Sequence, residues 1–277
     1  SGSGHGGPPA EQAAAQGAWV IDNSASFRTH PDALLVVPEV NGELLERRFK
    51  ESHLKTEQRI LTNPNCSVAQ MVVALWPIQK IWGLKRVIVS TYQSTSGAGH
   101  QAVEELKSQL RTSVQDDSAI LQANIFPYPI AYNCIPQVGS FNAQGESGEE
   151  TKMVQETLVL LGNPELAVTA TCVRVPTLGC HAESIHLETE RPFQLSDVKQ
   201  ALMEQEGLVV EDDPASGSYP TPLECMGKDE VFVGRIRRDA SGEDNRLNLW
   251  VVSDNLRKGA ALNAVQIAET LVRRAFN

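Results

Sequence analysis

Apolar residues recur at Val68, Met71, Val72, Leu75, Ile78 and Ile81, the spacing of a helix with one buried face. Pro64 and two asparagines precede the run and Gly83 follows it, so a helix is expected from Cys66 to about Trp82. On either side the pattern changes to short apolar runs. Ala18 to Asp22, Leu34 to Pro38, Arg59 to Thr62, Arg86 to Thr91, Ala167 to Arg174 and Ile185 to Thr189 read as strands, several of them β-branched. Further helices are expected over Ala10 to Gln16, His100 to Leu110, Gly148 to Leu161 and Leu195 to Glu204, while Glu43 to Glu57 reads as a charged surface segment. Prolines make residues 112–147 irregular. Gly207 to Val210 is a short strand, and Val231 to Arg238 and Leu247 to Ser253 alternate as antiparallel strands around the turn Ala240-Ser241-Gly242. Leu262, Val265, Leu271, Val272 and Phe276 complete the pattern, predicting one long amphipathic helix from Leu256 to about Phe276. Helices and strands alternate first and strands dominate later. That order predicts an α/β part followed by an α+β part, with the last helix packing back on the first.

Composition narrows the function. The 277 residues are 41% hydrophobic and 21% charged, which describes a globular chain able to bury a core. A net charge of −10 argues against nucleic acid or an anionic membrane as partner, so an anionic substrate needs local cations. No apolar run reaches the roughly 18 residues a membrane span requires. The start, Ser1 to Pro9, has the composition of a flexible segment. Five scattered cysteines without a CxxC pair argue against a disulfide framework or a structural metal site and point to a reducing cytoplasm.

The chemistry centres on Cys66. A thiol in the first turn of a helix meets the partial positive charge of unsatisfied N–H groups, which is expected to lower its pKa and make it a nucleophile. GxSxG, HExxH and P-loop motifs are all absent. There remains His181, expected in a loop at a strand end, and Cys with His is the minimum for covalent acyl chemistry. The loop Tyr92 to Gly99, rich in hydroxyls and glycine, suits anion binding, and Glu149 and Lys152 share a helix face.

Several stretches resemble motifs of the aspartate-semialdehyde dehydrogenase family. They are VIDNSASFR (Val20 to Arg28), LVVPEVN (Leu35 to Asn41), NPNCSVAQ (Asn63 to Gln70), STYQSTSGAG (Ser90 to Gly99), EETKM (Glu149 to Met153), RVPTLGCHAES (Arg174 to Ser184) and DNLRKGAALNAVQIAE (Asp254 to Glu269). They run in order from about Ala13 to the C-terminus. The resemblance implies reversible, NADPH-dependent reductive dephosphorylation of L-aspartyl-4-phosphate to L-aspartate 4-semialdehyde, a step toward lysine, diaminopimelate, methionine, threonine and isoleucine. By the same resemblance Cys66 is the nucleophile that forms a thioester, His181 the acid/base and Gln93 the amide that orients the acyl group. Arg174 grips the α-carboxylate, Glu149 meets the α-amino group, Arg28 and Lys152 bind phosphate, and Asn65 joins the substrate set. Ser96, Gly97 and Asn255 fall near the nicotinamide of NADP(H).

The implied architecture is a Rossmann-type nucleotide-binding domain followed by a glyceraldehyde-3-phosphate-dehydrogenase-like catalytic and dimerisation domain with a mixed, largely antiparallel sheet. Residues 1–63 are expected to be the remainder of the nucleotide domain, 64–254 the catalytic domain and 255–277 the returning helix, in a homodimer. The family's GxxGxxG turn does not occur, so the first βα units, on the order of 60 residues, are expected to be missing and NADP binding weakened. Two rival readings stand beside this one. An N-acetyl-glutamyl-phosphate reductase would share the acyl-phosphate chemistry without needing a carboxylate at Glu149, and a non-catalytic paralogue would keep the fold alone.

Overall fold

The computed structural model describes residues 7–51 and 53–275; of the expected flexible start Ser1 to Pro9, Ser1 to Gly6 lie outside them, as does the end of the last helix at Phe276, whereas Gly7 to Pro9 form the first turn of a helix, where a proline's missing N–H costs nothing. The first part contains α1 (Gly7–Ala15), β1 (Val20–Asp22), β2 (Leu34–Leu35), α2 (Pro38–Phe49) and β3 (Ile60–Thr62). The three strands form a parallel sheet in the order β1-β3-β2. The expected strand at 34–38 stops after two residues because Pro38, with its φ preset for a helix, starts α2. Asn41 closes that turn, accepting from the Val37 N–H and donating to the Leu35 carbonyl. The charged segment from Glu43 is therefore largely the solvent side of a helix, whose Leu45 is buried with Val36, Leu61 and Ile267.

The second part begins with α3 (Cys66–Trp82), which ends at Gly83 with φ of +70°. It is followed by β4 (Leu84–Gln93), α4 (His100–Gln115), α5 (Gly148–Leu160), β5 (Ala167–Arg174), β6 (His181–Thr189) and α6 (Leu195–Met203). Then come β7 (Leu208–Val210), the short α7 (Pro222–Cys225), β8 (Val231–Arg238), β9 (Arg246–Ser253) and α8 (Leu262–Ala275). Six strands form one mixed sheet in the order β5-β4-β6-β9-β8-β7, with the central pairings antiparallel. One face carries the core: Val72, Leu75 and Ile78 of α3 pack with Val87, Val89, Ile185, Leu187, Leu249 and Val251. The opposite face leaves Ile88 and Tyr92 exposed, as strict alternation along β4 requires.

Register delivers the functional residues to one end of this sheet. Gln93 lies opposite Arg174 on one side and His181 on the other, and His181 lies opposite Ser253. His181 is thus the first residue of a strand, correcting its expected place in a loop. The nonhelical pattern from Val175 to Cys180 concealed this, because Ala182 and Glu183 are both buried and break the alternation.

The C-terminal segment departs from one continuous helix. Arg257–Ala261 makes a π-helical turn before α8, and α8 packs on α2 and β1. The buried Lys258 ammonium ties the two parts together. It donates to both Glu39 oxygens at 2.7 and 2.6 Å, to Asn263 Oδ1 at 2.9 Å and to Gln266 Oε1 at 2.8 Å. With every donor satisfied, the buried charge is tolerated; removing either partner would strand the other.

Candidate active site

Asn65 builds the start of α3. Its side-chain oxygen accepts from the N–H groups of Ser67 and Val68 at 3.0 and 3.4 Å, an N-cap that leaves Cys66 as the first helical residue. The turn after β9 presses against this thiol: a Cβ added to Gly259 would stand 2.7 Å from the Cys66 Cβ, so only glycine lets the two segments approach.

Two carboxylates of α5 hold the same corner. Glu149 Oε1 accepts from Asn65 Nδ2 at 2.9 Å and from Gln93 Nε2 at 3.2 Å, while its other oxygen lies 3.5 Å from Lys152 Nζ. Glu156, two turns further along α5, accepts the Asn65 N–H at 2.6 Å and pairs with Arg28 at 3.2 Å. Arg28 and Lys152 therefore flank the thiol corner, each already resting on a carboxylate.

His181 and Arg174 are organised by the segment after β4. The Ser94 N–H donates to His181 Nδ1 at 3.1 Å, and Arg174 Nη1 donates to the Ser94 carbonyl at 2.6 Å. Because Nδ1 accepts, a neutral imidazole carries its proton on Nε2. A Cβ on Gly97 would meet Arg174 Nη1 at 2.9 Å and His181 Nε2 at 3.1 Å, so this glycine backbone lies directly over both groups. Asn255 Oδ1 accepts from the Ser94 and Ser96 hydroxyls at 3.2 and 3.1 Å. Its amide donors have no partner among the described residues, and together with the bare Gly97 backbone they fit a flat carboxamide-bearing ring such as a nicotinamide.

The protonation states correct the expectation for Cys66. Burial pushes the thiol up to about 12, and the Glu149 carboxylate adds to the rise; Arg174, the Ser67 N–H and Arg28 oppose it without winning. Helix position and thiolate stability are separate matters here, since desolvation outweighs the dipole. His181 is lowered to about 3, first by burial and then by Arg174. Near neutrality Cys66 is therefore a thiol and His181 a neutral imidazole. Burial also raises Glu156, against the pull of Arg28.

All eleven residues singled out from the sequence fall in this one region, on segments from both parts of the chain. The sequence reading missed Ser94, which fixes the imidazole tautomer, and Glu156, which bonds the helix cap. Glu156 repeats the face of Glu149 after two turns, and that spacing was a usable signal. Gly259 left no local signal, because the atoms nearest to it belong to Cys66, far away in the chain. Among the described residues no group of His, Cys, Asp and Glu suits a metal ion.

Comparison with known proteins places this geometry. Family models of semialdehyde dehydrogenases match the chain twice, the NAD-binding domain at residues 2–48 and the dimerisation domain at residues 75–258. The aspartate-semialdehyde dehydrogenase of Aquifex aeolicus is 46% identical over 263 residues, covering 95% of this chain and 75% of the relative. The crystal structure of aspartate semialdehyde dehydrogenase II from Vibrio cholerae, complexed with ASA, is similar with a TM-score of 0.88 at 43% identity, over 96% of this chain and 76% of that one. The Candida albicans enzyme with NADP has a TM-score of 0.75 at 26% identity, over 98% and 75% of the two chains.

Proposed function

The chain belongs to the aspartate-semialdehyde dehydrogenase family, and from that premise we propose how its residues carry the family reaction, the reversible reductive dephosphorylation of L-aspartyl-4-phosphate to L-aspartate 4-semialdehyde. The observation that supports the reading most is the meeting of Cys66, Glu149, Arg174 and Arg28 at the first turn of α3, with Arg174 acting also on a His181 imidazole whose proton is held on Nε2.

As the Cys66 thiol attacks the acyl carbon its proton passes to the departing phosphate; a C–S bond forms, and the C–O bond to phosphate breaks with its electron pair leaving on phosphate. Ser96, Gly97 and Asn255 are the candidate contacts for a reduced nicotinamide, which when bound would supply the hydride that reduces the thioester; the C–S bond then breaks with its electron pair on Cys66 Sγ and the aldehyde is released. His181, neutral with its proton on Nε2, donates a hydrogen bond to the oxygen that gains charge at each tetrahedral stage and keeps that proton in both directions. Arg174 holds the α-carboxylate with the guanidinium edge not spent on Ser94. Glu149 meets the α-ammonium and at the same time orients Gln93 and Asn65. Arg28 and Lys152 exchange their carboxylate partners for the phosphate. NADP is the proposed form of the nicotinamide cofactor, and residues 1–63, 64–254 and 255–277 are the proposed nucleotide-binding, catalytic and returning segments. A homodimer through the open face of the six-stranded sheet suits the exposed Tyr92, whose ring lies tilted against Trp250 with centroids 5.4 Å apart. Five free cysteines suit a reducing cytoplasm.

Incubation with aspartate semialdehyde and phosphate tests the reading, with NADP and NAD in parallel. Reduced cofactor is expected to form with NADP in preference, and Cys66→Ala is expected to lower the rate by at least about 10⁴-fold, as loss of a covalent nucleophile does. Intact-mass measurement should find an acyl adduct on the wild type and none on the variant. No reduced cofactor from the wild type, or full activity of Cys66→Ala, would overturn the mechanism. Glu149→Ala separates the N-acylated substrate reading, since only a free amine loses a partner.

A further inference from the structure

Glu183 is fully buried on β6, next but one after His181, and neither carboxyl oxygen has a hydrogen-bond partner among the described residues. It lies opposite Thr91 on β4 and Val251 on β9, both buried. Parity along β6 sets it on the same face as Ile185 and Leu187, which pack in the core with α3. The side chain beside it is Gln70 of α3, one helical turn after Cys66. The titratable neighbours are His181 along its own strand and the Cys172 thiol on β5; no cation acts on the carboxyl.

Gln70 spans the two reacting groups. It stands on the helix that begins with Cys66, and its Nε2 donates to the His181 backbone carbonyl at 3.3 Å. Its Oε1 is buried and has no partner among the described residues, as is also true of the Ser67 and Ser253 hydroxyls. Gln70 acts on the Glu183 carboxyl as a side-chain hydrogen-bond partner, and with Nε2 committed to the His181 carbonyl the amide group left to meet the carboxyl is Oε1, against which a carboxylate would set two acceptors in a dry interior. A carboxylic acid supplies the missing donor, and an isolated buried charge is far costlier than the neutral acid.

We propose that Glu183 is a positioning residue: as a neutral acid it donates to Gln70 Oε1, which fixes the Gln70 amide so that Nε2 faces the His181 carbonyl and sets the placement of His181 relative to Cys66. Burial raises the carboxyl well above its ordinary range, in agreement with this form, and outweighs the opposing pull of the Gln70 side chain. An amide whose oxygen is occupied cannot turn over to present that oxygen to the His181 carbonyl. The proposal rests on Cys66 and His181 being the reacting pair.

The test uses the full chain with Glu183→Gln, Glu183→Ala, Gln70→Ala and the alanine double variant. Glu183→Gln keeps a donor and is expected to retain kcat within about twofold. Glu183→Ala should lose kcat by up to about 100-fold with KM unchanged, the scale of a small misplacement of catalytic groups. The double variant should lose no more than either alanine variant alone, since both break one link. The infrared difference between wild type and Glu183→Gln should show a carboxylic-acid carbonyl band, which requires neither activity nor a foldable alanine variant. A carboxylate band overturns the proposal; so does a Glu183→Gln variant as impaired as Glu183→Ala, or an alanine variant with full kcat. An inactive wild type would count against the reaction reading, whereas the infrared band would still decide the state of Glu183.

Discussion

Toward its C-terminal end α3 lays Val72, Leu75 and Ile78 on Val87, Ile185, Leu187 and Leu249, whereas its first turn carries Cys66, Ser67 and Gln70, the last of which meets His181 and Glu183 of the same sheet. Apart from the half-buried Cys66, both ends are covered to a similar degree. The apolar end gains roughly 25 cal/mol for each Å² removed from water, while every polar group at the other end loses hydration that only a partner can replace. Several of those partners are absent among the described residues: Ser67 Oγ, Gln70 Oε1, His181 Nε2 and both Glu183 oxygens. The helix is therefore held by its far end and carries its first turn into a site that would not assemble by itself. The unfavourable burial there is what shifts Cys66 up and His181 down, and so prepares the chemistry.

The largest effect expected from breaking this division of labour comes at the apolar end. Leu75→Ala should destabilise the fold by about 2–5 kcal/mol, as truncation of a fully buried leucine does, with the urea midpoint as the measure. If the first turn held the helix instead, the loss would be small.

Acid should expose the cost of the polar end. His181 titrates at about 3 when folded and 6.5 as the ordinary value, so between these the unfolded chain binds more protons. Stability must then fall as pH drops from about 6.5 toward 3. His181→Asn removes that group, and its melting temperature should decline less over the same interval; equal declines would mean that His181 does not stay neutral in the fold.

Asn65→Ala is expected to cost about 1 kcal/mol through loss of the helix cap. Because Asn65 also bonds Glu149, kcat/KM should fall more than this stability change accounts for. A stability loss with unchanged kinetics would reduce Asn65 to a cap.

Much of this arrangement was legible from local pattern. The bounds of α3 agree with the expected Cys66 to Trp82, because an Asn cap, a preceding proline and a terminating glycine act within a turn of the residues they control. Strand Ala167–Arg174 was equally readable from its composition. Helix α2 was hidden by its charge and by the proline that begins it, and His181 was left outside its strand because burial of both faces erased the alternation. Glu156, Gly259 and Glu183 act through residues far away in the chain, so no window of sequence contains their reasons.

By itself, then, the sequence determined where a thiol would stand at the head of a helix, which strands would flank it, and which cations and amides were available. It could not determine the charge on that thiol, on His181 or on Glu183. Those states follow from desolvation, which depends on what β4, β6, α5 and the turn at Gly259 together exclude from the first turn of α3, and only the tertiary structure brings these segments into one place.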